Sequence, residues 1–336
     1  MARRKRILMV HTGGTLGMKG SRPSPLKPAD FEQTLKENVP ELWRLATVRL
    51  EVFSNIDSSD MRPALWSPLA KRVHRALTGE YDGVVITHGT DTMAWTASAL
   101  SFMLPGLKHP VVLTGSQRPL GEVRTDARLN LIDAVTAAAS GPAEVSICFD
   151  SHLFRGNRTR KAKINDYDAF ESPNHAPLGT LGVSTVFSKG RRPRGAFRVL
   201  PELETHVFLL KVFPGIPPSI ARAILPNLKG LVIEAFGAGN YPAVGENSLV
   251  PLLEEARDRG IPVVMVSQAR VNAVDLSLYE SGAEAVRRGV VGGGDMTPEA
   301  AVVKLMHVLA YEKRLDRIRA RLEQDIAGEK TPAPVA

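Results

Sequence analysis

The 336-residue chain holds one cysteine, Cys148. A lone thiol excludes an internal disulfide and any Cys-based zinc site. It stands in the apolar run Val145-Ser-Ile-Cys-Phe-Asp150, where it reads as packing. Aromatic residues are scarce at 6%, and no signature of a nucleic-acid-binding module is present. No apolar run approaches the roughly 18 residues of a membrane-crossing helix. The basic start Ala2-Arg-Arg-Lys-Arg6 is followed only by the short apolar stretch Ile7 to Val10, too brief for the core of a secretory signal. A cytoplasmic protein without membrane association is therefore expected. No Walker A pattern occurs, and Gly13-Gly14 fails the spacing of a dinucleotide loop. Ligand spacings for zinc or iron are missing as well, so neither cofactor nor metal is expected.

What the chain does have is a formal net charge of +8. The excess lies in short segments: residues 2–6, Arg155 to Lys163 and Lys189 to Arg198. With so few aromatics this reads as a solvated basic surface, or as attraction of anionic substrates, rather than as a nucleic-acid face.

Short runs rich in β-branched residues alternate with helix-spaced segments. Candidate strands are 7–11, 48–53, 83–88, 110–115 and 145–150, and candidate helices 30–45, 67–78, 92–104 and 126–140. This βαβ alternation implies parallel sheets covered by helices on both faces, an α/β fold. Residues 151–180 are polar and irregular and read as a long loop or hairpin. The basic, Gly- and Pro-containing stretch 190–205 reads as a linker. Alternation resumes with strands at 207–213, 230–236 and 262–268 and helices over 218–226, 247–259, 275–287 and 298–324, the last with Thr297 as N-cap and Pro298 inside its start. The expected organisation is a larger N-terminal α/β domain (1–189), the linker, and a smaller C-terminal α/β domain (206–336). The tail from Lys330 reads as disordered.

In parallel α/β sheets, ligands bind beyond the carboxyl ends of strands. Four such ends carry hydroxyls, glycines and carboxylates: Thr12-Gly-Gly-Thr15-Leu-Gly17, Asn55-Ile-Asp-Ser-Ser-Asp-Met61, His88-Gly-Thr-Asp-Thr-Met93 and Gly115-Ser-Gln-Arg-Pro119. A threonine hydroxyl is a weak nucleophile until a base or a preorganised oxyanion site assists it. Lys161 or Lys163, in the excursion after the fifth strand, could be such a base if desolvation or the cations Arg155, Arg158 and Arg160 lower its pKa. His11 and His88 read as hydrogen-bonded scaffold, and Asp295 and Thr297 as the shaping of a helix start.

The two threonine motifs, in this order, resemble the signatures of bacterial-type L-asparaginases. Asp57 to Met61, Thr114 to Pro119, Arg155-Gly-Asn-Arg-Thr159, Gly237-Ala-Gly-Asn240 and Gly292-Gly-Gly-Asp-Met296 extend the likeness to the cytoplasmic type I branch over nearly the whole chain. The resemblance implies hydrolysis of the side-chain amide of L-asparagine, with Thr15 as primary nucleophile and Thr90, Asp91 and Lys161 as the second catalytic group. Lys161 is preferred over Lys163 by its interval to Asp168-Ala-Phe-Glu-Ser172. The resemblance also implies Ser58 and Ser59 as contacts to the substrate carboxylate and amine, Asp91 on the α-ammonium, and the Ser116 main chain at the amide. It implies a homodimer or a dimer of dimers, with Asn240 as the neighbour's contribution.

Two departures stand out. The family places a tyrosine in the loop after the first motif, whereas Met18 to Pro28 contains none; either Lys19, Ser21, Ser24 or water substitutes, or activity is reduced. At the position where some type I members carry an effector-binding arginine, this chain has Glu234, which implies weak or absent homotropic activation. The rival readings are the asparaginase-like subunit of a tRNA-dependent amidotransferase and a non-catalytic amino-acid-binding or RNA-associated protein. The former is disfavoured because that subunit typically carries a domain ahead of its threonine motif.

Overall fold

A computed structural model describes residues 3–19, 24–25 and 28–332. The chain divides into two compact units, Met1–Pro201 and Glu202–Ala336, each built on a mainly parallel sheet.

Among the described residues, the main sheet of the first unit has eight strands: β1 (Arg6–Gly13), β2 (Thr47–Ile56), β3 (Gly83–Thr87), β4 (Val111–Thr114), β5 (Val145–Phe149), β6 (His152–Arg155), β7 (Gly179–Leu181) and β8 (Thr185–Phe187). Their spatial order is β8-β7-β6-β5-β4-β3-β1-β2. Strands β2-β1-β3-β4-β5 run parallel, and β6, β7 and β8 add antiparallel pairings. The chain therefore reverses direction across the sheet between β1 and β3, the switch point where a crevice opens.

Helices α1 (Pro28–Asn38), α2 (Leu42–Leu45), α3 (Pro63–Thr78), α4 (Met93–Met103) and α5 (Ala127–Ser140) cover this sheet. Ile7, Met9, Val85, Val112 and Cys148 form one core with Phe31, Leu35, Leu131 and Val135. The alternating residues Leu8, Val10, Val84 and Ile86 are equally buried, because α3 and α4 pack on the strands from the other side. Burial on both faces explains why these strands read as continuous apolar runs.

The helix expected over 30–45 is two helices. Pro40 lies between them, lacks an N–H and disfavours helix in the residue before it. The helix expected over 67–78 begins four residues earlier, with Pro63 at its first position. The stretch 151–180 is more ordered than a loop. It supplies β6 and a short hairpin pairing Arg160–Lys161 with Phe170–Glu171, and β7 begins at its end. Asp150 and Ser151 make the turn into β6 with positive φ of 46° and 57°. Within 190–205, the N–H groups of Arg198 and Leu200 bond the carbonyls of Pro105 and Met103 at the end of α4.

The second unit has four parallel strands in chain order, β9 (Val207–Lys211), β10 (Gly230–Ala235), β11 (Val263–Ser267) and β12 (Val291–Gly292). Its helices are α6 (Pro218–Ala223), α7 (Val250–Asp258), α8 (Glu280–Arg287), α9 (Pro298–Tyr311) and α10 (Leu315–Glu323). Thr297 caps α9, its hydroxyl accepting from the Ala300 N–H at 3.2 Å.

The single helix expected over 298–324 is broken at Glu312, whose backbone is extended. The break lets α10 fold back and bury Ile318 and Leu322. It also brings partners to Lys304, which is wholly buried. The Lys304 Nζ donates to the carbonyls of Leu322 (2.8 Å) and Gln324 (2.6 Å) and pairs with Glu329 Oε1 at 2.6 Å. Glu329, equally buried, also accepts from the N–H groups of Ile326 and Ala327. Burial opposes its ionisation, but Lys304 and these donors hold the carboxyl below its ordinary value. The tail is accordingly ordered further than expected: the Thr331 N–H and hydroxyl bond Asp295 at 2.8 and 2.6 Å. Residues 333–336 lie outside the described residues.

Candidate active site

The loops after β1, β2 and β3 meet backbone to backbone. Gly13 and Gly14 hold φ of +117° and +89°, conformations that suit glycine. A Cβ on Gly14 would lie 2.5 Å from the Gly89 main chain, and one on Gly89 would lie 2.6 Å from the Ser58 hydroxyl. Gly14 and Gly89 each immediately precede a motif threonine, so this contact joins the two motif loops just ahead of Thr15 and Thr90, 75 positions apart in sequence. Two hydrogen bonds secure it: the Gly14 N–H to the Ile56 carbonyl (3.1 Å) and the Thr92 hydroxyl to the Ser58 carbonyl (2.7 Å).

Thr15 opens a short 3-10 turn ending at Gly17 and is half-buried. Thr90 is 8% exposed. The Lys161 Nζ donates to Thr90 Oγ1 at 2.8 Å and to Asp91 Oδ1 at 2.7 Å. An ammonium is thus held between a hydroxyl and a carboxylate. Lys163 pairs instead with Asp168 and, at 3.9 Å, Asp166, so of the two candidate lysines it is Lys161 that meets the threonine. Two of the cations expected around Lys161 have partners of their own. Arg155 forms a two-pronged pair with Glu144 at 2.6 and 3.0 Å, and Arg158 donates to the Asn174 carbonyl at 2.8 Å. The charge that Lys161 touches is the carboxylate of Asp91.

Ser58 is buried, whereas Ser59 is exposed. Asp57 caps their turn: its Oδ1 accepts from the Ser59 N–H and hydroxyl, both at 2.8 Å. These bonds, the backbone one foremost, hold the Asp57 carboxyl below its ordinary range. Ser116 is buried at the end of β4, and its hydroxyl turns back to the Arg118 carbonyl at 2.5 Å. The next two N–H groups, of Gln117 and Arg118, donate to Asp126. Burial pushes the Asp126 carboxyl above its ordinary value, against those donors. Asn130, one turn further along α5, donates to the Gly115 carbonyl at 3.0 Å.

Both histidines near the site are scaffold. His11 bonds the Thr87 hydroxyl at 2.7 Å and stacks on Phe31. His88 bonds the Gly89 carbonyl (2.7 Å) and the Thr96 hydroxyl (2.9 Å), which also accepts from Trp66. Burial pushes each down to about 4, and His307 in the second unit likewise. The unfolded chain protonates these rings near pH 6.5, whereas the folded chain resists until about pH 4. Stability therefore falls as pH drops through that window. At pH 5.5 the expected loss is about 1 kcal/mol for each histidine. Urea denaturation at pH 7.5 and 5.5 checks this; equal midpoints would refute it.

Residues 6–193 match the family model of the asparaginase N-terminal domain, and residues 206–322 that of the glutaminase/asparaginase C-terminal domain. The chain belongs to the asparaginase family.

Among asparaginase relatives, L-asparaginase 1 of Escherichia coli strain K12 is 38% identical, covering 98% of this chain and 99% of that one. A glutamyl-tRNA(Gln) amidotransferase subunit of Pyrococcus abyssi is 37% identical over 97% of this chain and 77% of its own length. The solved thermostable L-asparaginase from Thermococcus kodakarensis superposes with a TM-score of 0.90 at 36% identity, covering 98% of this chain and all of that one.

Other expectations drawn from the asparaginase likeness are placed as follows. Asn240 lies in the second unit, in a turn where its N–H bonds the Phe236 carbonyl (2.8 Å) and its Oδ1 accepts from the Ser281 hydroxyl (2.9 Å). Of the substitutes for the missing tyrosine, Ser21 and the side chains of Lys19 and Ser24 lie outside the described residues. Glu234 is buried in β10, with Lys211 Nζ at 3.7 Å. No helix among the described residues is long and apolar enough to cross a membrane, and no metal-holding cluster of His, Cys, Asp and Glu occurs among them. Sequence reasoning passed over Asp57, quoted only as part of a motif, and Gln117. Asp57 caps its own turn, a local signal the sequence did offer, whereas Gln117 bonds the main chain of a distant segment, which residue type alone does not display.

Proposed function

We propose that this protein is an L-asparaginase, hydrolysing the side-chain amide of L-asparagine to L-aspartate and ammonia. The observation that carries the reading is Lys161 bonded at once to Thr90 and Asp91; the contact of Gly14 with Gly89, the residues ahead of Thr15 and Thr90, supports it.

An α-amino acid needs an anion and a cation site at fixed separation. Asp91, largely exposed beyond Lys161, takes the α-ammonium. Ser58 and Ser59, with the N–H groups of their turn, take the α-carboxylate. This clamp sets the amide carbon against Thr15, and orientation of that kind supplies up to about 7–11 kcal/mol of a barrier. The main chain at Ser116 contacts the amide. Thr15 Oγ1 attacks the amide carbon, a C–O bond forms, and the hydroxyl proton passes to the departing nitrogen, so ammonia leaves and an ester on Thr15 remains. Water then cleaves the ester, releasing aspartate and restoring the hydroxyl. Thr90, with Lys161, relays the proton, and main-chain N–H donors steady the oxyanion. No cofactor enters. The active unit is a homodimer or a dimer of dimers in the cytoplasm, with Asn240 contributed by a neighbouring subunit.

The near-equal identity to the amidotransferase subunit favours a second reading, release of ammonia for a tRNA-bound acceptor. A steady-state assay of ammonia release from free L-asparagine and L-glutamine over a wide concentration range tests the first reading. Turnover of free asparagine supports it, and absence of turnover of either amide sinks it. The same curve checks Glu234: a carboxylate there repels an amino-acid effector's carboxylate, so the rate follows a hyperbola. A sigmoidal curve would contradict this.

A further inference from the structure

We infer that Gln117 is a positioning residue that aims the hydroxyl of Thr90; the inference rests on the reading of Thr90 and Lys161 as one catalytic group. Gln117 ties three segments together. Its N–H is held by Asp126 at 2.9 Å. Its Nε2 donates to the carbonyls of Ile164 and Asp166, both at 3.0 Å, in the excursion that carries Lys161. Its Oε1 faces Thr90 Oγ1 at 3.4 Å.

This arrangement admits one orientation of the amide. Flipping it would set an oxygen against two carbonyl oxygens, leaving all three acceptors without a proton. Oε1 is therefore fixed as an acceptor toward Thr90. Lys161, a donor only, already occupies one lone pair of Thr90 Oγ1. The hydroxyl proton of Thr90 is consequently directed at Gln117, and the remaining lone pair is left for the substrate side. At 3.4 Å the bond is long, as catalytic hydrogen bonds often are before substrate tightens them.

The side chain thus decides which way Thr90 presents its proton, and its two N–H bonds keep the Lys161 excursion at the same distance. Aim matters in the chemical step and little in substrate capture, for which Asp91, Ser58 and Ser59 suffice. Charged groups around Gln117 are Lys161 and Asp91 on the Thr90 side, Asp126 behind its main chain, and Lys163, Asp166 and Asp168 on the excursion.

The test compares the full-length parent with Gln117→Met and Gln117→Glu in ammonia release from L-asparagine, with thermal unfolding recorded for each. Gln117→Met keeps shape and removes the acceptor. Its kcat should fall on the order of tenfold to a hundredfold, as for a misaimed reacting group, with KM within about threefold. Gln117→Glu, when protonated, still offers an acceptor and one donor; once ionised it faces the carbonyls of Ile164 and Asp166 with no proton. Its kcat profile should show an ionisation absent from the parent and from Gln117→Met, with activity recovering toward acid. If the parent is active and Gln117→Met retains its kcat, the inference is wrong while the asparaginase reading stands. If KM rises as much as kcat falls, the residue only supports the binding clamp, and the inference is likewise overturned. An inactive parent removes both readings together.

Discussion

Thr15→Ala and Thr90→Val each lower kcat for L-asparagine by about a thousandfold or more, with circular dichroism and thermal midpoint close to the parent. The magnitude follows from what each change removes. Without the Thr15 hydroxyl there is no atom to form the acyl ester, and the residual rate is that of binding and oxyanion contacts alone. Thr90→Val keeps the shape of the side chain but leaves the Lys161 Nζ, held at 2.8 Å from Oγ1, without its hydroxyl, so the proton relay fails. Because the two act as one unit, the double variant should be little worse than either single one. Folding is spared because the glycine contact at Gly14 and Gly89 that sets the loops is untouched. Undiminished turnover in both variants would remove the site from these residues.

Glu329→Gln destabilises the second unit by roughly 3–5 kcal/mol, the cost of leaving a buried charge without its counter-ion. Lys304 is wholly buried, and its other partners, the carbonyls of Leu322 and Gln324, carry only partial charge. Lys304→Met costs a similar amount, since it strands the Glu329 carboxylate and two carbonyls. The double change Lys304→Met with Glu329→Met recovers much of the loss, because paired buried ions replaced by apolar groups of similar volume often come out near neutral. Differential scanning calorimetry measures this as a midpoint for that unit lowered by roughly 10 °C in each single variant. Midpoints equal to the parent's in all three variants would show that the pair contributes nothing.

Much of this was legible in advance, and the limits have physical causes. Runs such as Ile7 to Val10 are apolar at every position because helices cover both faces of the sheet, so period and composition revealed strands and the α/β class. Thr297 and Pro298 announced their helix start because capping is settled within one turn of chain. The break at Glu312 was invisible, since α9 and α10 together satisfy helical spacing; the burial of Ile318 and Leu322 and the partners that Lys304 acquires when α10 folds back stabilise the interruption. The same holds at the tail, where Thr331 is held by Asp295, a residue far upstream.

The asparaginase motifs, their glycines and their hydroxyls were set by sequence alone, because the need for positive φ and for nucleophilic oxygen is a property of single residues. Folding alone settled that β1 and β3 are neighbours, that Gly14 rests on Gly89, that Lys161 reaches Thr90 and Asp91 at once, and that Gln117 spans three segments. Strand order and side-chain reach depend on contacts between residues separated by tens of positions, and no local pattern encodes a distance of that kind.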